Sequence, residues 1–260
     1  MAVYKGKVEG MITIPTGGVQ ALTCTDASGG PTAITIDAGT YYWSTADSDT
    51  EDFLAQLSED INAAMTETWT LTLSADESGT GKLTIGCTGA TCTITWQDTN
   101  VRDLCGFAGN SSGATSYTGT KHVKALWLPD GPPRSAYGLS DAGADEMDQT
   151  TTESSAGHVM TLGYQRRTAQ WIEWQGISRA KTRISGESTT GESWQQFVRD
   201  VIYAEATYCP GRCLRVYPDA GTDATSTEYR VSGAIPEPEP LIDGWIEQWR
   251  IRIPRLLKVP

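Results

Sequence analysis

Histidine is nearly absent from this chain of 260 residues, which carries only His122 and His158. Two imidazoles are too few for a histidine-rich metal site. Phenylalanine is scarce at three residues, and the hydrophobic share is 38%. Basic side chains are the minority charge: 20 Lys and Arg face 32 Asp and Glu, for a net charge of −12. A protein that coats DNA or RNA needs a basic surface to neutralise phosphates, so that class is excluded. No run approaches the ~18 apolar residues of a membrane-spanning helix. The opening MAVYKGKVEGMITIP has two lysines but no long apolar stretch behind them, unlike a signal peptide. These absences predict a soluble protein with no membrane insertion, which stays where it is made unless an assembly carries it.

Catalytic motifs are equally sparse. His158 sits near Ser154 and Ser155, but nothing like G-x-S-x-G surrounds those serines. Gly79-Thr80-Gly81-Lys82-Leu83 lacks the leading glycine of a phosphate-binding loop and precedes a strand pattern, so it reads as a hairpin turn. The acidic run Asp47-Ser48-Asp49-Thr50-Glu51-Asp52 lacks the glycine and terminal glutamate of a calcium loop. Its carboxylates suit the start of a helix, where they meet the positive end of the dipole. Asp145, Glu146 and Asp148 read as solvating groups of a linker. The expectation is a protein that is not an enzyme, with no catalytic residue, no cofactor and no metal.

Six cysteines occur, at 24, 87, 92, 105, 209 and 213. Without a secretion signal the expected state is reduced. Cys87 and Cys92 flank a turn-like Thr88-Gly89-Ala90-Thr91 and would face each other if their strands paired, which leaves their oxidation state open. Cys209-Pro-Gly-Arg-Cys213 has neither redox nor zinc spacing and reads as two small residues around a turn.

What is present is β pattern and large aromatics, with nine Trp and ten Tyr. Ile34-Thr35-Ile36, Trp69 to Leu73 and Cys92 to Trp96 alternate apolar residues with Thr, as half-buried antiparallel strands do. Phe53, Leu54, Leu57, Ile61 and Met65 fall at helical spacing behind a Ser48/Glu51 capping pair, predicting an amphipathic helix near 50–66. The second half repeats the plan. Strands are expected at Thr168 to Trp174, Arg179 to Ile184, Leu214 to Tyr217 and Tyr229 to Val231. A helix near 191–207 follows a Thr189/Glu192 pair, with Trp194, Phe197, Val198, Val201 and Ile202 on one face. The last strand sets Trp249, Ile251 and Ile253 against Arg250 and Arg252, and Pro254 is expected to end it.

Charge divides unevenly between the halves. Residues 1–130 hold six basic and fifteen acidic residues, whereas 131–260 hold fourteen and seventeen. Between them, Asp130-Gly131-Pro132-Pro133 leads into a Gly-, Ser-, Asp- and Thr-rich segment. The predicted fold is mainly β (α+β): two β-sandwich-like domains, each with one packed amphipathic helix. The domains would span 1–130 and 158–260, with a linker or extended arm at 131–157. Tyr41, Tyr42 and Trp43 are adjacent, and strand alternation sends neighbours to opposite faces. Tyr42, Trp43, Trp171, Trp174, Arg250 and Arg252 are therefore the candidate interface residues. A sugar-binding platform built from Tyr41, Tyr42, Trp43, Trp171 and Trp174 is the alternative use of the same aromatics.

Two stretches support a family resemblance. The first runs from Gly39-Thr40-Tyr41-Tyr42-Trp43 through the helix to Gly81-Lys82-Leu83-Thr84-Ile85, Ile94-Thr95-Trp96 and Val101 to Phe107. It exits through Ala125-Leu126-Trp127-Leu128-Pro129. This order resembles a domain of tailed-bacteriophage virion proteins, with its L-x-G-F segment and W-x-P exit. The second comprises Trp171 to Ile184, the helix at 192–207, Leu214 to Asp219 and Trp249 to Ile253. It is similar to the β-sandwich-plus-helix layout of phage tail-tube and distal-tail or baseplate proteins. The acidic segment 130–157 does not map onto that plan. The resemblance implies a homo-oligomeric, hexameric ring in contact with other tail proteins, with no sequence-specific nucleic acid, located in the virion and in host cytoplasm during assembly. A major tail-tube or neck protein with an appended surface domain, and a carbohydrate-binding module, are the alternatives.

Overall fold

In the computed structural model the described residues are 6–43, 52–74, 80–89, 91–129, 134–136, 147–153, 159–165, 170–178, 193–217, 226–231, 233–243 and 246–258. The fold is mainly β with few helices, of the α+β kind. Among the described residues the strands pair antiparallel, with one isolated parallel bridge between Tyr42 and Asp52.

The largest sheet has eight strands. Its order is Leu126–Trp127, Lys7–Gly10, Cys213–Tyr217, Thr227–Val231, Ile246–Lys258, Gln170–Ser178 and Arg134–Ala136, with Glu239–Asp243 also paired to Ile246–Lys258. It takes strands from both sides of residues 131–157: Val8 stands between Trp127 and Val216. A four-stranded sheet runs Thr32–Ile36, Val19–Thr25, Cys92–Trp96, Ser111–Ala114, and a three-stranded one runs Ser116–Thr118, Leu83–Cys87, Trp69–Leu73. Ile12–Ile14 pairs with Gly39–Tyr41. Met147–Glu153 pairs with Val159–Gln165 in a ribbon of its own.

Helix α1, Phe53–Ala64, buries Phe53, Leu57 and Ile61, the face expected from their spacing. Its cap is Asp52, whose carboxylate accepts from the Ala55 amide at 3.0 Å. The proposed Ser48/Glu51 pair lies outside the described residues. A short helix that the alternation pattern did not signal, α2 (Thr99–Leu104), follows strand Cys92–Trp96, and Asp98 caps it by accepting from the amides of Asn100 and Val101. Helix α3, Trp194–Phe197, begins at a capping box formed by Ser193 and Gln196. The Thr189/Glu192 pair lies outside the described residues. The chain then widens into a π-helical turn, Val198–Ile202, closed by the Tyr203 amide donating to the Val198 carbonyl at 2.9 Å. This turn buries Asp200, Val201 and Ile202 together.

Two sequence expectations change. Strands Leu83–Cys87 and Cys92–Trp96 are not partners: the first belongs to the three-stranded sheet and the second to the four-stranded one, so 88–91 carries the chain between sheets. Pro254 does not end the last strand, which runs from Ile246 to Lys258. The register against Gln170–Ser178 shifts between Ile172↔Ile253 and Gln170↔Leu256, and this irregularity takes in Pro254, which has no amide to offer a ladder. Beyond it, residues 256–258 pair with Tyr229, Arg230 and Val231. The expected strand at Arg179 to Ile184 lies outside the described residues.

Among the described residues a single apolar cluster joins the large, four-stranded and three-stranded sheets with the helices. Its bulkiest part is a tryptophan nest. The Trp127 ring meets Trp174 edge-on with centroids 5.0 Å apart and Trp194 at 4.7 Å, and Trp194 stacks on Phe197. Such edge and offset geometries suit the quadrupoles of aromatic rings.

Candidate functional site

Three arrangements stand out among the described residues: a charge ladder, an apolar groove and a self-paired ribbon. The first is a charge ladder on the large sheet. Lys7 and Glu9 are two apart on one strand and share a face; Lys7 pairs in register with Tyr217, and Glu9 with Arg215. The Lys7 ammonium lies 3.2 Å from the Glu9 carboxylate and 4.1 Å from the centre of the Tyr217 ring. The Tyr217 hydroxyl donates to Glu9 at 3.2 Å. Arg215 donates to Glu228 at 2.8 Å, and its guanidinium lies over the Tyr42 ring at 4.1 Å. Lys7 and Glu9 are completely buried. Burial, then the nearby Glu9 carboxylate, pushes the Tyr217 hydroxyl up, and burial with Glu228 does the same to Tyr42. Burial disfavours the Arg215 cation, but its bond to Glu228 outweighs this and raises its pKa. The ladder ties together the strands Lys7–Gly10, Cys213–Tyr217 and Thr227–Val231.

The second arrangement is a groove of about 270 Å³ between the π turn and the segment 235–238. Val198, Tyr203, Ile235, Pro236 and Pro238 supply apolar walls over the Trp194 ring. At its edge Gln195 donates to Glu237 at 3.0 Å, and Arg199 lies 2.9 Å from Asp200 and 3.3 Å from Glu205. Tyr203 is 53% exposed, the open large aromatic of the described residues. An aromatic and proline-walled groove suits contact with a flat or extended apolar partner.

The third is the ribbon formed by Met147–Glu153 and Val159–Gln165. Seven residue pairs hold it, from Met147↔Gln165 to Glu153↔Val159, and neither strand belongs to another sheet. Both outer backbone edges are therefore without a sheet partner in the described structure.

The sequence-predicted interface residues separate into two groups. Tyr42, Trp43 and Trp174 are buried inside the chain and present no outer surface. The strand ends at Tyr41, so alternation does not govern Tyr42 and Trp43, and each finds cover within the chain. Trp43 packs edge-on against Phe53 at 5.1 Å and donates its indole N–H to the Lys124 carbonyl at 2.5 Å, whereas Tyr42 lies under Arg215. Tyr41 packs against Phe53, so these aromatics form core rather than a sugar platform. Trp171 occupies a register position opposite Ala136. Arg250 is half-exposed and bonded to Glu239, and Arg252 is exposed. The residues that sequence reasoning missed are Tyr203 and Pro236 to Pro238. The dense Pro-Glu-Pro-Glu-Pro run at 236–240 was the signal available for them.

Among the described residues no group of three His, Cys, Asp or Glu is placed to hold a metal, and no helix is long and apolar enough to cross a membrane. His122 is half-buried, while His158, Ser154, Ser155 and the acidic residues at 47, 49, 51, 145 and 146 lie outside the described residues. Comparison of the chain with protein-family models, with curated proteins and with solved structures gave no match.

Proposed function

We propose that this chain is a structural component of a bacteriophage tail, of the distal-tail or baseplate kind, which works by assembling into a ring and organising the tail tip. The observation that carries the reading beyond family resemblance is the self-paired ribbon. A two-stranded hairpin is marginal in water, and it gains most when its edge or face is covered by further strands. In an assembly the ribbon is the arm, and the neighbouring subunit supplies the cover. Arg250 and Arg252 on the last strand, with the groove beside Tyr203, provide a second contact region. The exposed carboxylates of the acidic first half repel nucleic acid passing nearby.

Native mass measurement of the purified chain, with particle imaging, tests the proposal. A closed ring containing a fixed number of chains is expected; a strictly monomeric protein found in no particle would overturn it. Successive amides of a strand point to opposite edges, so of Thr150→Pro and Thr151→Pro one breaks the ribbon's own pairing and the other blocks its outer edge. Both substitutions are expected to lower assembly while leaving the tryptophan core folded.

A further inference from the structure

We propose that Cys87 and Cys92 are a reversible dithiol–disulfide clip at the point where the chain crosses from the three-stranded to the four-stranded sheet. Two crossings run side by side there. The chain leaves the first sheet at Cys87 and enters the second at Cys92; it returns between Ala114 and Ser116. The Cys87 amide donates to the Thr115 carbonyl at 2.8 Å, and Cys92 stands opposite Ala114 in register. Consecutive residues of one crossing thus hold both cysteines of the other. Tyr117 clamps the junction, donating its hydroxyl to the Cys92 carbonyl at 2.6 Å and accepting from the Ala114 amide at 2.7 Å. Within this frame the Cys87 thiol donates to the Thr88 carbonyl at 4.0 Å and the Cys92 thiol to the Ala114 carbonyl at 3.5 Å, and the two thiols are near enough for each to shift the other's titration. Cys24 is a third thiol nearby, on the strand paired to Cys92–Trp96, but its register partner is Ile94, two positions further along.

The oxidant is a small disulfide of the glutathione type. The Cys87 thiolate attacks one of its sulfurs, forming a mixed disulfide and releasing one small thiol. The Cys92 thiolate then attacks the Cys87 sulfur and releases the second. The two protein thiols lose two electrons, the small disulfide gains them, and the two protons leave with the released thiols. Cys87 takes the first step because it is the more open of the pair, 6% exposed against 2%. Burial raises both thiols above the usual range, so the rate climbs as pH rises. The loop closed is short, so the bond removes little chain entropy. Its effect is to fix the crossing between the two sheets.

The test treats the folded chain with oxidised glutathione at mildly alkaline pH, then unfolds it, alkylates the remaining thiols and digests it with trypsin without reduction. Cleavage after Lys82 and Arg102 leaves both cysteines in one peptide, 83–102. The expected result is that peptide without alkyl groups and lighter by two hydrogens, restored to two alkylated cysteines by prior reduction. Cys92→Ser is expected to trap Cys87 as a stable mixed disulfide with glutathione. Two alkylated cysteines in the treated wild-type peptide, a persistent wild-type mixed disulfide, or linkage of either cysteine to Cys24 would each overturn the proposal.

Discussion

Asp26 shows how one residue can organise a junction. It is buried, which by itself raises a carboxyl pKa, yet amides from Glu67, Gly29, Ser28 and Thr66 turn toward it and hold it below the usual range. Its oxygens accept from Ser28 at 3.2 Å and from Glu67 at 3.1 Å, tying the turn after strand Val19–Thr25 to the segment before Trp69. Because the folded pKa is depressed, the stabilisation is complete above the ordinary carboxyl range and is lost as pH falls through the folded value. Asp26→Ala is expected to cost about 2 kcal/mol at neutral pH, since charge-assisted bonds are lost and amides are left unmet. Urea unfolding against pH checks this, with the gap between wild type and variant narrowing in acid. The buried Lys7–Glu9 pair has a different logic. Glu9→Gln removes the carboxylate that lies 3.2 Å from the buried Lys7 ammonium and is expected to cost about 3–5 kcal/mol. Lys7→Met combined with Glu9→Leu removes both charges, and a double-mutant cycle is expected to recover much of that loss.

At the scale of elements, close approach decides what the sequence pattern leaves open. Strand Lys7–Gly10 meets the π turn at Gly10, where an added Cβ would stand 2.5 Å from a methyl carbon of Val201. Gly10→Ala is therefore expected to destabilise by about 1–3 kcal/mol as overpacking does, and Val201→Ala in the same chain to relieve part of it. Thermal unfolding of the single and double variants measures both. Gly106, after α2, is tighter still. Its φ is +76°, and a Cβ would lie 2.4 Å from the Lys121 carbonyl oxygen, a backbone atom with little room to move. Gly106→Ala is expected to cost more than Gly10→Ala, with no second-site relief of the kind Val201→Ala provides. The helix caps teach a related point. Asp52 and Ser193 meet the first free amides of α1 and α3 because each stands in extended backbone directly before the first helical residue, where its side chain reaches the amide three positions on.

At the scale of the whole molecule, the charge boundary and the sheet boundary do not coincide. The acidic half ends near 130, but its first strand, Lys7–Gly10, lies between Leu126–Trp127 and Cys213–Tyr217. Tyr208 adds a tie between the halves, donating to the Asp98 carboxylate that caps α2 at 2.8 Å, and burial followed by that bond pushes its hydroxyl up to about 12. Fragments 1–130 and 158–260 expressed apart are expected to be aggregation-prone, since each exposes an unpaired edge of the large sheet. Mixed together, they are expected to recover tryptophan fluorescence of the intact protein as the nest of Trp127, Trp174 and Trp194 closes. Two separately stable fragments would contradict this.

By itself the sequence determined the β-rich class, the buried face of α1 and the alternation of the last strand. These are local periodicities, and burial follows from them whatever lies opposite. The helix expected near 191–207 is in fact the short α3 followed by a π turn that ends at Ile202. Only the tertiary structure decided which strands are neighbours, and that choice governs the rest. It separated Leu83–Cys87 from Cys92–Trp96 although four residues join them, and it carried Ile246–Lys258 past Pro254. It also covered both Tyr42 and Trp43, with Arg215 and Phe53 from distant parts of the chain. The Tyr203 groove is likewise a product of the fold, because Trp194 and Pro236 meet there although they are far apart in a sequence that gives them no shared period. Pairing over such distances depends on complementary faces and register, which a one-dimensional pattern does not encode.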